Sequence, residues 1–81
     1  MAYYSYLPIV CKFILEKKQL SGRKIARSLN IHPKSWQRYC KGTRMPGGPV
    51  KYKMVTLMGA ANFSDLVAQA YRYNKHRVGR L

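Results

Sequence analysis

Acidic side chains are almost absent from this 81-residue sequence, in which Glu16 and Asp65 stand against 16 lysines and arginines. The formal net charge is therefore +14 at pH 7. The two carboxylates fall in different predicted helices, so the chain offers no acidic pair for general acid–base catalysis. We expect no enzyme activity. The charge predicts a polyanionic partner, with nucleic acid first and an anionic membrane surface second.

Cysteine and histidine are also scarce. Cys11, Cys40, His32 and His76 are the four potential metal ligands of these types, and they lack the paired spacing of a zinc site. Gly47 and Gly48 lie between prolines and are not followed by the Lys-Ser pattern of a phosphate-binding loop. We therefore expect no metal or other cofactor, and two buried thiols that stay reduced.

Long apolar runs are missing as well, because the uninterrupted hydrophobic stretches are a few residues long, whereas a membrane-spanning helix needs about 20. The start of the chain lacks the basic region and apolar run of a secretion signal. The first predicted helix is apolar on too many sides to present a basic face to a membrane surface. These features predict a cytoplasmic, nucleoid-associated protein without a membrane partner.

Hydrophobic residues nonetheless make up 47% of the chain, which is more than a disordered basic tail contains. A chain of this length forms one domain and buries about 60% of its surface. Apolar residues recur at helical spacing between turn residues, so we predict an all-α fold for residues 1–73 and a basic tail, which frays, for 74–81. The predicted helices, with their N-caps in parentheses, are 6–18 (Ser5), 22–29 (Ser21), 33–41 (His32), 49–61, which Asn62 closes, and 64–73 (Ser64).

The most informative stretch is residues 21–42, which read SGRKIARSLNIHPKSWQRYCKG. Two short predicted helices flank a turn at 30–32, and the small Ala26 falls where their axes would meet. Apolar side chains on both helices and in the turn would hold the helices nearly perpendicular. They are Leu29, Ile31, Trp36 and Tyr39. This arrangement predicts a helix-turn-helix, whose second helix enters the major groove of DNA through its N-terminal half.

These residues resemble the lambda-repressor and Cro-like helix-turn-helix family over about 6–70. The resemblance extends past the motif, through the Gly, basic loop and Pro of 42–46 and the apolar helix and Ser cap within 54–66. Three positions depart from the family pattern, with Asn30 in place of Gly, Trp36 in place of Ile or Val, and Pro33 in place of a base-reading side chain. The resemblance implies a compact five-helix domain that binds specific double-stranded DNA as a dimeric regulator, which we expect to be a repressor.

The family's contact positions carry over to the second helix of the motif and to the residues around it. Arg and Lys favour guanine, and Gln favours adenine. The base-reading candidates are Lys34, Gln37 and Arg38. The candidates for backbone or outer contacts are Gly22, Arg23, Lys24, Arg27, His32, Ser35, Lys41 and Arg44.

The basic residues are unevenly placed. Twelve of the 16 lie between Lys12 and Lys53, four lie between Arg72 and Arg80, and none lies in 54–71. Part of that uncharged stretch is core, and its surplus predicts a self-association face for a homodimer. A cluster of tyrosines at positions 3, 4 and 6 is the competing candidate for an interface.

Other interpretations remain open at this point. The high charge and Pro33 also fit an accessory protein that binds DNA without specificity or binds RNA. Alternatively, the fold serves to bind a host protein through 57–71 and the tyrosine-rich N-terminus. Trp36 would stack on single-stranded bases in the former case, but it shares a face with Tyr39, which favours core packing. Lys75, Arg77 and Arg80 in the tail either contact nucleic acid or only add solubility.

Overall fold

A computed structural model describes the backbone of residues 3–79 and the side chains of residues 3–75. Over the described residues the radius of gyration is 12.0 Å, close to the value of about 12 Å for a compact domain of this length. The all-α prediction is confirmed, since residues 3–79 contain five α-helices and no strand. The helices are α1 (Tyr6–Lys18), α2 (Gly22–Ser28), α3 (Pro33–Lys41), α4 (Gly48–Met58) and α5 (Phe63–Gly79).

Helix α1 forms the centre of the fold, because it packs against both α3 and α5. Its buried side chains Leu7, Val10, Cys11 and Ile14 follow the spacing of one helix face. Helix α2 packs on α3, and α4 packs on α5. The five helices therefore share one core, to which each helix contributes at least one buried side chain. The buried hydrophobic residues are Leu7, Val10, Cys11, Phe13, Ile14, Ile25, Ala26, Leu29, Trp36, Tyr39, Met54, Leu66 and Ala70.

The first three helices begin and end where the sequence predicts, apart from α2, which ends at Ser28 instead of residue 29. The prediction that Ser5 caps α1 is wrong. Ser5 has helical backbone angles, and its side chain makes no capping hydrogen bond. A capping side chain needs an extended backbone at its own residue to reach the first free amides. Ser21 has that conformation and caps α2 as predicted.

Helix α4 differs more from its predicted range of 49–61. It starts one residue earlier, at Gly48, and ends at Met58. Gly59 takes the left-handed conformation, with φ 67°, and ends the helix before Asn62. Glycine adopts this conformation without a side-chain penalty, which makes it a preferred helix terminator.

Asn62 instead begins α5, which corrects the prediction that Ser64 is the cap. The Asp65 amide donates to Asn62 Oδ1 at 2.8 Å, and the Ala61 amide donates to Asp65 Oδ2 at 3.0 Å. The first bond caps α5, and the second joins the residue before Asn62 to the first turn of the helix. Helix α5 then continues past Tyr73 to Gly79, through most of the stretch predicted to fray. Arg80 and Leu81 lie outside the described residues.

Contacts of Tyr73 account for the continuation of α5. Its ring lies 5.3 Å from the ring of Phe13, centroid to centroid. The Lys17 ammonium lies 5.2 Å from the centroid of the same ring. These contacts fix the middle of α5 against α1, so a further turn of helix adds hydrogen bonds at little extra entropic cost.

Within residues 3–79, none of the helices combines the length and the apolar character that a membrane crossing requires. Among the described side chains, those of residues 3–75, no three His, Cys, Asp or Glu come together as a group able to hold a metal ion.

Candidate nucleic-acid interface

The α2–turn–α3 unit forms with the local chemistry that the sequence predicts. The Lys24 amide donates to Ser21 Oγ at 3.3 Å and starts α2. Asn30 adopts the left-handed conformation, with φ 56°, which Asn tolerates better than most residues. The Ile31 amide then donates to the Ala26 carbonyl at 3.0 Å. These bonds close the chain into a tight turn between the two helices.

Helix α3 is capped at both ends. His32 Nδ1 accepts from the Lys34 amide at 3.1 Å, and Pro33 occupies the first turn, where a missing amide costs nothing. Gly42 ends the helix with φ 75°, and its amide donates to the Tyr39 carbonyl at 3.0 Å. Hydrogen bonds thus fix both ends of the nine-residue α3.

Trp36 fixes α3 to the body of the protein. It is only 3% exposed, which confirms core packing over a stacking role. A Cβ atom built on Gly22 would lie 3.0 Å from Trp36 Nε1, closer than ordinary van der Waals contact. Gly22 therefore lets the start of α2 approach the indole ring. The sequence analysis did not predict this role of Gly22. The signal for it is Trp36 itself, because a bulky ring where Ile or Val is usual requires a small residue opposite it.

The outward face of α3 carries the base-reading candidates. Lys34, Gln37 and Arg38 are all exposed, and so is Lys41. Their spacing of three, four and seven residues places them on one side of the helix. The structure therefore brings these four side chains together. His32, just before the helix, is exposed, whereas Ser35 is half-buried.

Helix α2 adds positive charge beside α3. Arg23, Lys24 and Arg27 are exposed, while Gly22 is half-buried. Arg23 and Arg27, one turn apart, line a concavity of about 330 Å³ with Asn30, Ile31 and Pro33. The two arginines therefore lie beside the start of α3.

The opposite end of α3 meets the N-terminal segment, a contact that the sequence did not predict. The Tyr4 amide donates to the Gly42 carbonyl at 2.8 Å. The ring of Tyr3 lies against Gly42, since a Cβ there would be 2.9 Å from Tyr3 Cε1, and Tyr3 remains 65% exposed. Arg44, in the loop that follows, is exposed. An aromatic ring thus lies at the end of the basic helix.

Most apolar side chains of the two predicted self-association surfaces pack against other parts of the same chain. In the N-terminal cluster, Tyr6 stacks edge-on with both Tyr4 and Phe63, with ring centroids 6.4 Å apart in each pair. In 54–71, the apolar side chains are buried or half-buried apart from the alanines at 61 and 68 and Tyr71, which is 43% exposed. The large apolar side chains that remain exposed in the described part of the chain are Tyr3, Tyr52 and Tyr71.

Residues 21–44 carry seven lysines and arginines and no acidic residue. The Asp65 carboxylate lies at the start of α5, where hydrogen bonds from the Ala61 amide and then the Gln69 side chain hold its pKa below the usual value. Helices α2 and α3 and the loop after them therefore form a surface of uniform positive charge. Such a surface attracts phosphate groups.

Comparison with known protein families, curated proteins and solved structures finds no match to this chain.

Proposed function

We propose that this protein is a sequence-specific double-stranded DNA-binding regulator of the lambda-repressor and Cro-like kind. The observation that carries the proposal is the exposed face of α3, which holds Lys34, Gln37, Arg38 and Lys41 on a helix anchored from behind by Trp36. A helix anchored on one side and polar on the other fits the width of the major groove.

The proposed roles divide between base and phosphate contacts. Lys34 and Arg38 donate to guanine O6 and N7, and Gln37 pairs with adenine. The cations around them bind phosphates, which position the protein and supply most of the salt-dependent affinity. These cations are Arg23, Lys24, Arg27, Lys41 and Arg44.

A single copy of α3, with nine residues, contacts few base pairs. Helix-turn-helix regulators therefore commonly bind as two-fold dimers, which recognise a longer site. We therefore propose a homodimer on a palindromic operator, with repression by covering a promoter. Tyr71 is the large apolar side chain of 54–71 that stays exposed, and we propose that it takes part in the contact between the two copies.

Selection from random duplex DNA at about 150 mM salt tests the proposal, because non-specific binding weakens steeply with salt. The expected result is a palindromic motif whose half-sites lie about one helical turn apart. Recovery of the input pool without enrichment, from protein shown by circular dichroism to be helical, contradicts sequence-specific binding.

A single substitution on α3 tests the role of its exposed face. Arg38→Ala should weaken binding to the selected site by about 1–3 kcal/mol and relax the preference at one base pair. Lys53→Ala is the matched control, since it removes one exposed charge from α4, outside the proposed interface. Fluorescence anisotropy measures the affinity for the selected duplex. Equal affinities of Arg38→Ala and the unaltered protein would show that α3 does not read the bases.

Pro33 supports a second candidate function, which is binding of RNA or of DNA without sequence preference. It occupies the start of α3, where a base-reading side chain would otherwise lie, and it has no hydrogen-bond donor. In that case a structured RNA competes for the protein at least as well as the selected duplex. The same anisotropy titration distinguishes the two functions.

A further inference from the structure

The only two cysteines of the chain meet at the contact between α1 and α3. Cys11 and Cys40 are 29 positions apart in the sequence, and both are free thiols. Cys40 packs against the core cluster to which Cys11 belongs, and each thiol shifts the pKa of the other. Cys11 is 1% exposed, whereas Cys40 is half-buried. The fold therefore brings together a pair of thiols of which one is accessible from solvent.

The contact makes the two thiols chemically different. The hydrogen bond with Cys40, together with burial, raises the pKa of Cys11 above its ordinary value. The same bond lowers the pKa of Cys40, because Cys11 donates to it. The carbonyl end of α3 opposes a thiolate at Cys40, but a hydrogen bond to a charged sulfur at close range outweighs the screened helix dipole. Cys40 is thus both the more acidic and the more accessible sulfur, which are the two properties of a reactive cysteine.

We propose that Cys11 and Cys40 form a redox-active pair that closes into an intramolecular disulfide when the protein meets hydrogen peroxide. The bond joins α1 to α3 covalently and encloses the whole of α2 and the turn. This gives the thiol pair a role separate from binding of nucleic acid.

The reaction runs in two steps. The Cys40 thiolate attacks one oxygen of the peroxide, the O–O bond breaks, and the departing hydroxide takes a proton to leave as water, so that Cys40 becomes a sulfenic acid. Cys11 sulfur then attacks the Cys40 sulfur, and the S–O bond breaks. The leaving hydroxide takes the Cys11 proton and becomes a second water. Two thiols are oxidised to one disulfide, and one peroxide is reduced to two waters.

Mass spectrometry of the full chain tests the proposal directly. Reduced protein is treated with one equivalent of hydrogen peroxide at pH 7, unfolded in guanidinium and alkylated with N-ethylmaleimide. The expected product is a single chain about 2 Da lighter, with neither cysteine alkylated, and dithiothreitol should restore both sites. Two alkylated cysteines after treatment, or a disulfide between two chains, would overturn the proposal.

Single-cysteine variants test the order of the two steps. In Cys11→Ala, Cys40 has no second sulfur, so its sulfenic acid should persist and be trapped by dimedone. In Cys40→Ala, Cys11 lies buried and should remain a thiol on the same time scale. Alanine keeps both positions small and apolar, and circular dichroism checks that each variant is folded. Trapping at Cys11 but not at Cys40 would contradict the assignment of Cys40 as the attacking thiol.

Two further readouts separate the consequences of the bond. The oxidised protein should unfold at a temperature higher by roughly 5 °C or more, because the bond restricts the unfolded chain. If α3 reads DNA, as proposed above, fixing it to α1 should change the affinity for the selected duplex by roughly fivefold or more, reversibly with dithiothreitol. If the oxidised protein binds the selected duplex with unchanged affinity, the disulfide does not regulate DNA binding. Failure of the reduced protein to select DNA overturns only the proposed function, since the mass readout does not depend on it.

Discussion

At the scale of single residues, two glycines have conformations that other side chains adopt only with strain. Gly42 and Gly59 have φ of 75° and 67° and end α3 and α4. They differ in their surroundings, since a Cβ on Gly42 would lie 2.9 Å from the Tyr4 carbonyl oxygen, whereas a Cβ on Gly59 would meet open space. Gly42 therefore combines a backbone requirement with a packing requirement.

Alanine substitutions at three glycines separate these two requirements. Gly59→Ala should lower the free energy of unfolding by about 1–2 kcal/mol, the cost of a left-handed conformation. Gly42→Ala should cost about 2–4 kcal/mol, because the contact with Tyr4 adds to it. Gly48→Ala is the control without either constraint, and it should be neutral or stabilising by up to about 1 kcal/mol. Urea unfolding measures all three, and equal losses at positions 42 and 59 would contradict the tight contact.

The hydrogen bonds of Asp65 predict the pH dependence of stability. Its pKa in the folded protein is lowered, first by the Ala61 amide and then by Gln69. A carboxyl group with a lowered pKa stabilises the fold above its unfolded pKa of about 3.9, and the contribution is lost as the pH falls through the lower folded value. Thermal unfolding between pH 2 and 6 should show this loss, and Asp65→Asn should reduce it. If the unfolding temperature falls equally with pH in both proteins, the effect comes from a group other than Asp65.

At the scale of helices, the capping residues decide where the elements begin. Four polar residues precede or follow the starts of α1, α2 and α5, and only some of them act as caps. Ser21 and Asn62 accept hydrogen bonds from amides at the helix start. Ser5 makes no such bond, and Ser64 lies inside the first turn of α5.

Alanine at each of these positions should separate true caps from residues that only resemble them. Ser21→Ala and Asn62→Ala should each lower the free energy of unfolding by about 1 kcal/mol. Ser5→Ala and Ser64→Ala are matched controls, for which we expect changes within about 0.5 kcal/mol. Chemical denaturation followed by the fluorescence of Trp36 provides the measurement. A loss at Ser64 as large as that at Asn62 would contradict the assigned start of α5.

The ends of α1, α2 and α3 were more predictable than those of α4 and α5. Helix α3 was predicted with correct ends because His32, Pro33 and Gly42 are unambiguous local signals. In the region of α4 and α5, Gly59 and Asn62 compete to end one helix, and Asn62 and Ser64 compete to begin the next. Residues within a few positions have similar intrinsic preferences there. The left-handed conformation of Gly59 and the hydrogen bonds of Asn62 and Asp65 in the folded chain decide between them.

At the scale of the whole molecule, charge opposes compactness. The chain carries a formal net charge of +14, which folding concentrates within dimensions of 34 × 30 × 23 Å over the described residues. At 0.1 M salt the Debye length is about 10 Å, so charges farther apart than this repel one another only weakly. At low salt the repulsion reaches across the whole molecule and is strong. Salt should therefore stabilise this protein.

Thermal unfolding at different salt concentrations tests this expectation. The unfolding midpoint should rise by several degrees between about 0.01 and 0.3 M potassium chloride, as screening weakens the repulsion. An equal concentration of a neutral osmolyte controls for effects unrelated to ionic strength. A midpoint that stays constant or falls with salt would indicate that the cations are too far apart to destabilise the fold.

The sequence alone determined the helical class, the caps of α2 and α3 and the outward side of α3. These depend on interactions within a few residues, namely turn conformations, capping bonds and helical spacing. Only the tertiary structure decided that Tyr3 lies against Gly42, that Gly22 makes room for Trp36, and that Cys11 meets Cys40. Such contacts join parts of the chain that are separated in the sequence, and they are set by how the helices and the N-terminal segment pack against one another, which no local pattern encodes.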